Sequence, residues 1–125
     1  TFHNYDFSKG CVCFFGGFHV VDKEGNDITA LFTPTLKALL ILLILYTGRD
    51  SKGIIGHKLI QLLWYEKTDE SAKNNRNVYM SKLRGLLEKV GDIKILNQNG
   101  FWSIQFEEGT IWKHFIYIKR IIVRT

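Results

Sequence analysis

Proline and sulphur-containing residues are scarce in this sequence. Its 125 residues include one proline, one methionine and two cysteines. The scarcity of proline and the lack of low-complexity runs exclude a proline-rich or flexible linker between domains. The length corresponds to a single domain. Hydrophobic residues make up 46% of the chain and charged residues 23%, which is typical of a globular protein and argues against intrinsic disorder.

A hydrophobic run long enough to span a membrane is missing as well. The longest apolar stretch extends from Leu36 to Tyr46 and is interrupted by Lys37. A spanning helix needs roughly 20 apolar residues, so this stretch predicts a buried core helix instead. Residues 1–10 have neither the basic region nor the apolar region of a secretory signal. We therefore expect no membrane partner.

The two cysteines, Cys11 and Cys13, lie in one segment with a strand-like sequence. Side chains at i and i+2 of a strand point the same way, which is a poor arrangement for a disulfide. We expect free, buried thiols and a cytoplasmic location, since free thiols are typical of a reducing compartment.

Catalytic and metal-binding motifs are also lacking. The four histidines have no histidine, cysteine or carboxylate at metal-ligand spacing. The serines lack a nucleophile-elbow sequence, and Gly16-Gly17 is not followed by the residues of a phosphate-binding loop. We expect neither an enzyme nor a cofactor or metal site.

The order of the predicted elements indicates an α+β fold. Residues 12–15 and 18–21 are aromatic and β-branched, and Ile28-Thr29 begins a third short strand, so the first third predicts a small antiparallel sheet. Thr33-Pro34 is a helix start, and that helix is expected to run to about Tyr46, with Gly48 as a left-handed cap.

The C-terminal half predicts two further helices and a hairpin. Apolar residues recur at helical spacing in residues 56–64, with Gly56 as a weak cap, and in residues 70–90, which Gly91 terminates. Residues 93–96 alternate as a strand, residues 97–100 form a turn with an Asn-Gly pair, and residues 101–106 form the return strand.

The third helix has the most informative surface. If its leucines face the core, Lys73, Asn77 and Ser81 lie at i, i+4 and i+8 on the opposite side. The net charge is basic, at +5 for the chain and +4 between Lys73 and Lys94, which favours a polyanionic partner. An ordinary solvated helix face would explain the charge alone. Three asparagines within residues 74–77, however, are poor helix formers and need another reason.

Ordered motifs over residues 14–106 resemble those of the OmpR/PhoB-type winged-helix effector domain of response regulators, and more closely those of its antibiotic-regulatory (SARP) relatives. The closest match is Ser71-Ala72 followed by residues 78–84, which read Val-Tyr-Met-Ser-Lys-Leu-Arg. The other matching stretches are residues 14–18, residues 22–28, Leu31-Phe32-Thr33-Pro34, residues 59–64 and Gly100-Phe101-Trp102.

The resemblance implies a four-stranded N-terminal sheet, a three-helix core and a hairpin wing in residues 1–106. It implies a DNA-binding transcription regulator of two-component signalling, with the third helix in the major groove and the wing on the minor groove. Residues 65–69, from Tyr65 to Asp69, correspond to the family's transactivation loop, which meets RNA polymerase or a second protomer. Residues 107–125 are expected to be a basic and apolar extension that begins a further segment of a longer protein.

For double-stranded DNA as the partner, each predicted contact has a role. Amides and hydroxyls suit base edges, cations suit phosphates, and a polar hairpin tip suits the minor groove. Asn74, Asn77 and Ser81 are predicted to read bases. The predicted phosphate contacts are Lys73, Lys82 and Arg84, with Lys94 at the base of the hairpin, and the predicted tip contacts are Asn97, Gln98 and Asn99.

Some residues depart from the family pattern. Arg76 stands where the family has an apolar residue, Ser81 stands where response regulators often have arginine, and the wing tip lacks arginine. These departures support an alternative hypothesis, in which the chain is a protein-interaction module that kept the scaffold and lost the DNA contacts.

Overall fold

A computed structural model describes residues 10–14 and 17–106 of the chain. This part of the chain is an α+β structure with three α-helices and two small antiparallel sheets. The helices are α1 (Pro34–Arg49), α2 (Gly56–Leu63) and α3 (Asp69–Val90). The extension predicted for residues 107–125 lies outside the described residues, as does part of the bend predicted at Gly16-Gly17.

The first sheet pairs β1 (Cys11–Cys13) with β2 (His19–Val21). The second sheet has the order β3-β5-β4, in which β3 is Ile54–Ile55, β4 is Ile93–Gln98 and β5 is Phe101–Phe106. Strands β4 and β5 form the C-terminal hairpin, and β3 pairs Ile54 with Trp102 on its other side. The short strand β3 has no alternating pattern and was not predicted from the sequence.

Two helix starts have threonine caps, of which Thr33 was predicted from the sequence and Thr68 was not. The Thr33 hydroxyl accepts a hydrogen bond from the Leu36 N–H at 3.3 Å, and the Thr68 hydroxyl accepts one from the Ser71 N–H at 3.3 Å. Each cap satisfies an N–H that the helix itself leaves free. The predicted cap at Gly56 is wrong, because Gly56 is already helical and the capping residue, Ile55, has no side-chain bond.

The predicted end of α1 is also wrong. Gly48 is helical, and the helix continues to Arg49, with the Asp50 N–H donating to the Tyr46 carbonyl at 3.0 Å. The left-handed glycine of this region is Gly53, with φ of +90°, where the chain turns back towards β3. A Cβ on Gly53 would lie 1.9 Å from the Trp102 carbonyl oxygen, so only glycine fits against β5.

The strand predicted at Ile28-Thr29 is replaced by a short 3₁₀ helix, Thr29–Leu31. Local side-chain bonds compete with the strand ladder here. The Thr29 hydroxyl accepts from the Val20 N–H at 2.9 Å, and the Asp27 carboxylate accepts from the Thr29 N–H at 2.9 Å. Among the described residues the N-terminal sheet therefore has two strands, not the four that the resemblance implied.

One hydrophobic core joins the elements. Leu39, Leu40 and Leu43 of α1 are fully buried, and they belong to the same cluster as Leu83 and Leu87 of α3. Both cysteines are buried and neither is in a disulfide, as predicted. Burial, followed by the neighbouring Cys13, raises the pKa of the Cys11 thiol to about 11. Within the described ranges, no helix has the length and apolar character needed to cross a membrane.

Candidate nucleic-acid interface

Helix α3 has one packed side and one outer side. Its buried residues are Ala72, Met80, Leu83, Leu87 and Val90. The six residues of α3 predicted to contact DNA are all exposed. We define the α3 outer face as Lys73, Asn74, Asn77, Val78, Ser81 and Lys82, which share the half of the helix turned away from the core. The periodicity of the sequence thus located this surface.

The polar side chains of the α3 outer face are available to a ligand. Among the residues that the structure describes, Lys73, Asn74, Asn77 and Ser81 have no side-chain hydrogen bond and no ion pair. Lys82 has a local contact only, with its Nζ 5.3 Å from the centroid of the Tyr79 ring. A helix surface with free amides, a hydroxyl and cations can donate to phosphates and pair with base edges.

The third asparagine of the cluster has a different role. The Asn75 Nδ2 donates to the Ser71 carbonyl oxygen at 2.8 Å, and the residue is half-buried. This bond to the preceding turn is a structural use of the amide. Only Asn74 and Asn77 are therefore presented to solvent.

Val78 is a surface residue that the sequence-based site list omitted. Its side chain is 50% exposed and lies between Asn74 and Lys82 on the α3 outer face. Apolar side chains on a groove-reading helix contact the thymine methyl group. The signal was present in the sequence, because Val78 falls outside the apolar stripe that packs inward.

The tip of the hairpin is exposed and polar, as predicted. Asn97, Gln98 and Asn99 are exposed, and so is Lys94 on the same strand as Asn97. The turn consists of Asn99 and Gly100, both with positive φ (55° and 82°), which is the backbone of a tight two-residue hairpin. The strand β4 therefore extends to Gln98, two residues beyond the prediction.

The hairpin turn is attached to helix α2. The Gly100 carbonyl oxygen accepts from the Gly56 N–H, the first of α2, at 2.9 Å. Next to it, the Lys52 Nζ lies 5.9 Å from the centroid of the Phe101 ring. These contacts bring the tip of the hairpin and the start of α2 together.

Arg84 lies at the edge of the α3 outer face, three residues after Ser81, and its side chain is turned towards the hairpin. Its Nη2 donates to the Ile95 carbonyl oxygen at 3.1 Å, and its Cζ lies 5.7 Å from the centroid of the Trp102 indole. The residue is exposed, but its guanidinium already has two partners. The predicted phosphate contact would require Arg84 to share or leave these partners.

Arg76, at the predicted apolar position, is half-buried against the same indole. Its Cζ lies 5.8 Å from the Trp102 centroid. Its Nε is buried and has no hydrogen-bond partner within residues 10–14 and 17–106. The sequence marked Arg76 as unusual, but it gave no indication that Arg76 and Arg84 converge on one tryptophan.

The loop of residues 65–69 presents an aromatic side chain. Tyr65 is 74% exposed, and Leu62 at the end of α2 is 45% exposed, whereas Trp64 between them is buried. This is the loop for which the sequence predicted a contact with RNA polymerase or a second protomer.

The described carboxyl groups with shifted pKa values are Asp22 and Asp27, which lie in the turn after β2, where Asp22 is close to Lys89 of α3. Backbone N–H groups of Asn26 and Glu24 donate to the Asp22 carboxylate and lower its pKa. The side chain and N–H of Thr29 lower the pKa of Asp27 in the same way. In the described part of the chain, no group of three histidine, cysteine or acidic side chains is placed to hold a metal ion.

Comparison of the chain with known protein families, with curated proteins and with solved structures finds no match. No relative therefore supports or contradicts the resemblance carried by the motifs. The argument for function depends on the exposed side chains of this chain.

Proposed function

We propose that this domain binds double-stranded DNA as a winged-helix transcription-regulatory domain. The α3 outer face would lie in the major groove, and the hairpin would act as the wing on the minor groove. The observation that carries the proposal is the α3 outer face itself, whose amides, hydroxyl and lysines are exposed and form no side-chain hydrogen bond or ion pair among the described residues. The α+β architecture of three helices and a C-terminal hairpin is compatible with this role.

Base reading falls to the uncharged side chains. Asn74 and Asn77 can each form two hydrogen bonds with the edge of an adenine, and Ser81 can bond to any of several base edges. Val78 lies beside them and suits the methyl group of a thymine. The predicted target is therefore a site containing A·T pairs in the major groove.

Phosphate binding falls to the lysines, because they have no carboxylate partner in the described part of the chain. Lys73 and Lys82 flank the amides, and Lys94 lies on the hairpin strand nearest α3. About three phosphate contacts would give a slope near −2.7 when the logarithm of the affinity is plotted against the logarithm of the salt concentration. A slope near −3.6 would indicate that Arg84 makes a fourth contact. At the wing, Asn97, Gln98 and Asn99 would approach the minor groove.

The regulatory partners follow from the same resemblance. The exposed Tyr65 and the loop of residues 65–69 would contact RNA polymerase or a second protomer. As an effector domain of the response-regulator type, the chain would act in the cytoplasm as the output of a two-component signal.

The test is a selection of bound duplexes from a random pool at low salt, followed by titration of the selected site at several salt concentrations. We expect a selected sequence, salt-sensitive binding, and a slope that falls by about 1.8 in the Lys73→Ala/Lys82→Ala variant. A matched control is Lys37→Ala/Lys67→Ala, which removes two exposed lysines elsewhere and should leave the slope unchanged. No affinity for any duplex at low salt would exclude the proposal.

A second candidate function is a protein-interaction module on the same scaffold. It is favoured by the exposure of Tyr65 and Leu62, and by the engagement of Arg84 within the domain. A reporter assay in the parent protein separates the two. Loss of activity in Tyr65→Ala with full activity in Lys73→Ala/Lys82→Ala would favour this module, and the reverse would favour DNA binding.

A further inference from the structure

Two arginines of α3 converge on one tryptophan of the hairpin. Arg76 and Arg84 are eight residues apart, which separates their backbones by about 12 Å along the helix. Their Cζ atoms nevertheless lie 5.8 Å and 5.7 Å from the centroid of the same Trp102 indole. Both distances are within the range of an attractive cation–π contact.

The helix geometry explains this convergence. Arg76, Met80 and Arg84 occur at i, i+4 and i+8, so they form one ridge along the side of α3 that faces the hairpin. Met80, in the middle of this ridge, is 1% exposed. We call Arg76, Met80 and Arg84 the junction ridge, because they lie between α3 and the hairpin.

The backbone around the junction ridge leaves room for Arg76. A Cβ on Gly56 would lie 2.8 Å from the Arg76 Nη1 and 3.3 Å from the Trp102 Nε1. Glycine at this position therefore permits the guanidinium to lie beside the indole. The Arg76 Nε is buried without a hydrogen-bond partner among the described residues, which opposes folding and makes arginine a poor choice for packing alone.

Arg84 also binds the edge of the hairpin. Strand β4 is the outermost strand of its sheet, and the Ile95 carbonyl that accepts the Arg84 hydrogen bond is in the middle of that strand. The hydrogen bond connects α3 to β4, and the cation–π contact connects α3 to β5. Arg84 thus contacts both strands of the hairpin at once.

We propose that Arg76 and Arg84 are positioning residues that hold Trp102 and thereby fix the orientation of the hairpin relative to α3. This inference rests on the proposed function, since the α3 outer face and the hairpin tip must reach one duplex together. The arginines act through Trp102, and phosphate binding is left to the lysines. Their role is to set how far apart the two DNA-contacting surfaces lie.

The experiment compares Arg84→Gln and Arg84→Lys with Lys73→Gln as the matched control. Each variant is titrated with the selected duplex at several salt concentrations, and its hydroxyl-radical footprint is recorded. A positioning role predicts that Arg84→Gln lowers affinity roughly 2- to 30-fold with an unchanged salt slope. It also predicts loss of protection under the hairpin with protection under α3 retained.

The variant Arg84→Lys distinguishes a positioning role from a phosphate contact. Arg84→Lys keeps the positive charge but loses the planar guanidinium, so a positioning role predicts that it behaves like Arg84→Gln. A phosphate contact predicts that lysine restores binding and that glutamine lowers the slope by about 0.9, as expected for Lys73→Gln. That second pattern, or unchanged binding in Arg84→Gln, would overturn the inference.

Hydrogen exchange of the free protein tests positioning without DNA. Arg84→Gln should accelerate exchange of the β4 and β5 amides near Trp102 while the core amides of α3 exchange as in the parent. Arg76→Gln, which removes the other guanidinium from beside Trp102, should do the same, and it replaces Arg84→Gln if that variant fails to fold. Unchanged exchange in both variants would overturn the inference. If the parent binds no duplex, the proposed function fails, whereas the exchange result still decides whether the arginines hold the hairpin.

Discussion

The two sides of helix α3 use similar residue types in opposite ways. On the junction ridge, charged side chains are engaged within the domain, as the contacts of Arg76 and Arg84 with Trp102 illustrate. On the α3 outer face, Lys73 and Asn77 are exposed and have no side-chain partner among the described residues. Charge alone therefore does not identify a binding residue. The distinguishing property is whether the folded chain already supplies a partner.

A second comparison gives the same lesson. In the N-terminal sheet, the Asp22 carboxylate is 9% exposed and accepts from the N–H groups of Glu24 and Asn26, so its polar atoms serve the turn. Polar residues of this kind stabilise the fold. Those of the α3 outer face are exposed, so we expect that they can be replaced without unfolding the domain.

The largest expected effect comes from the packed side. Leu83→Ala removes a side chain that is fully buried in the core, and we expect it to lower the free energy of unfolding by about 2–5 kcal/mol. The neighbouring Lys82→Ala is its matched control, since Lys82 is exposed and its change in stability should stay within about 0.5 kcal/mol. Chemical denaturation measures both. Equal losses in the two variants would show that the sides of α3 do not differ as described.

The next largest effect concerns the discrimination between base pairs by the α3 outer face. Asn77→Ala removes an exposed amide with no partner in the described residues, and stability should rise slightly because alanine is the better helix former. We expect it to lose about 1–3 kcal/mol of discrimination at one base pair. Binding to a set of singly altered duplexes measures this loss. Identical affinities of the variant and the parent for every altered duplex would remove Asn77 from the site.

A smaller effect is expected when the DNA is changed to test the predicted contact between Val78 and a thymine methyl group. Replacing thymine by uracil removes only the methyl group, and each such group is worth about 0.8 kcal/mol when buried. We expect one uracil position in the selected site to weaken binding of the parent by roughly fourfold. The same substitution should have no effect on Val78→Ala. If uracil weakens binding equally in both proteins, the methyl group contacts another residue.

Much of this arrangement could be predicted from the sequence, because it depends on local patterns. The period of the leucines separated the packed and outer sides of α3, and Thr33 before Pro34 marked the start of α1. The Asn99-Gly100 pair marked the hairpin turn. Each of these signals is formed by residues that are close together in the sequence.

The features that could not be predicted depend on partners distant in sequence. The two-residue strand β3 exists because Ile54 pairs with Trp102, and the left-handed glycine is Gly53, not Gly48, because Gly53 lies against β5. The position of Arg84 likewise depends on Ile95 and Trp102 of the hairpin. Residue type alone grouped Arg84 with the lysines that are predicted to bind phosphates, and only tertiary contacts distinguish it from them.

The smallest expected effect marks where the α3 outer face ends. Gly85 lies one turn after Ser81 on the exposed side, and a Cβ added there would meet no atom within 4 Å. Glycine inside a helix is less stable than alanine, so Gly85→Ala should raise the free energy of unfolding by about 0.5–1 kcal/mol. We expect duplex affinity to be unchanged, which would place the end of the interface at Lys82. A stabilised variant that binds DNA more weakly would instead extend the interface by one helical turn, because the added methyl group would then meet the duplex.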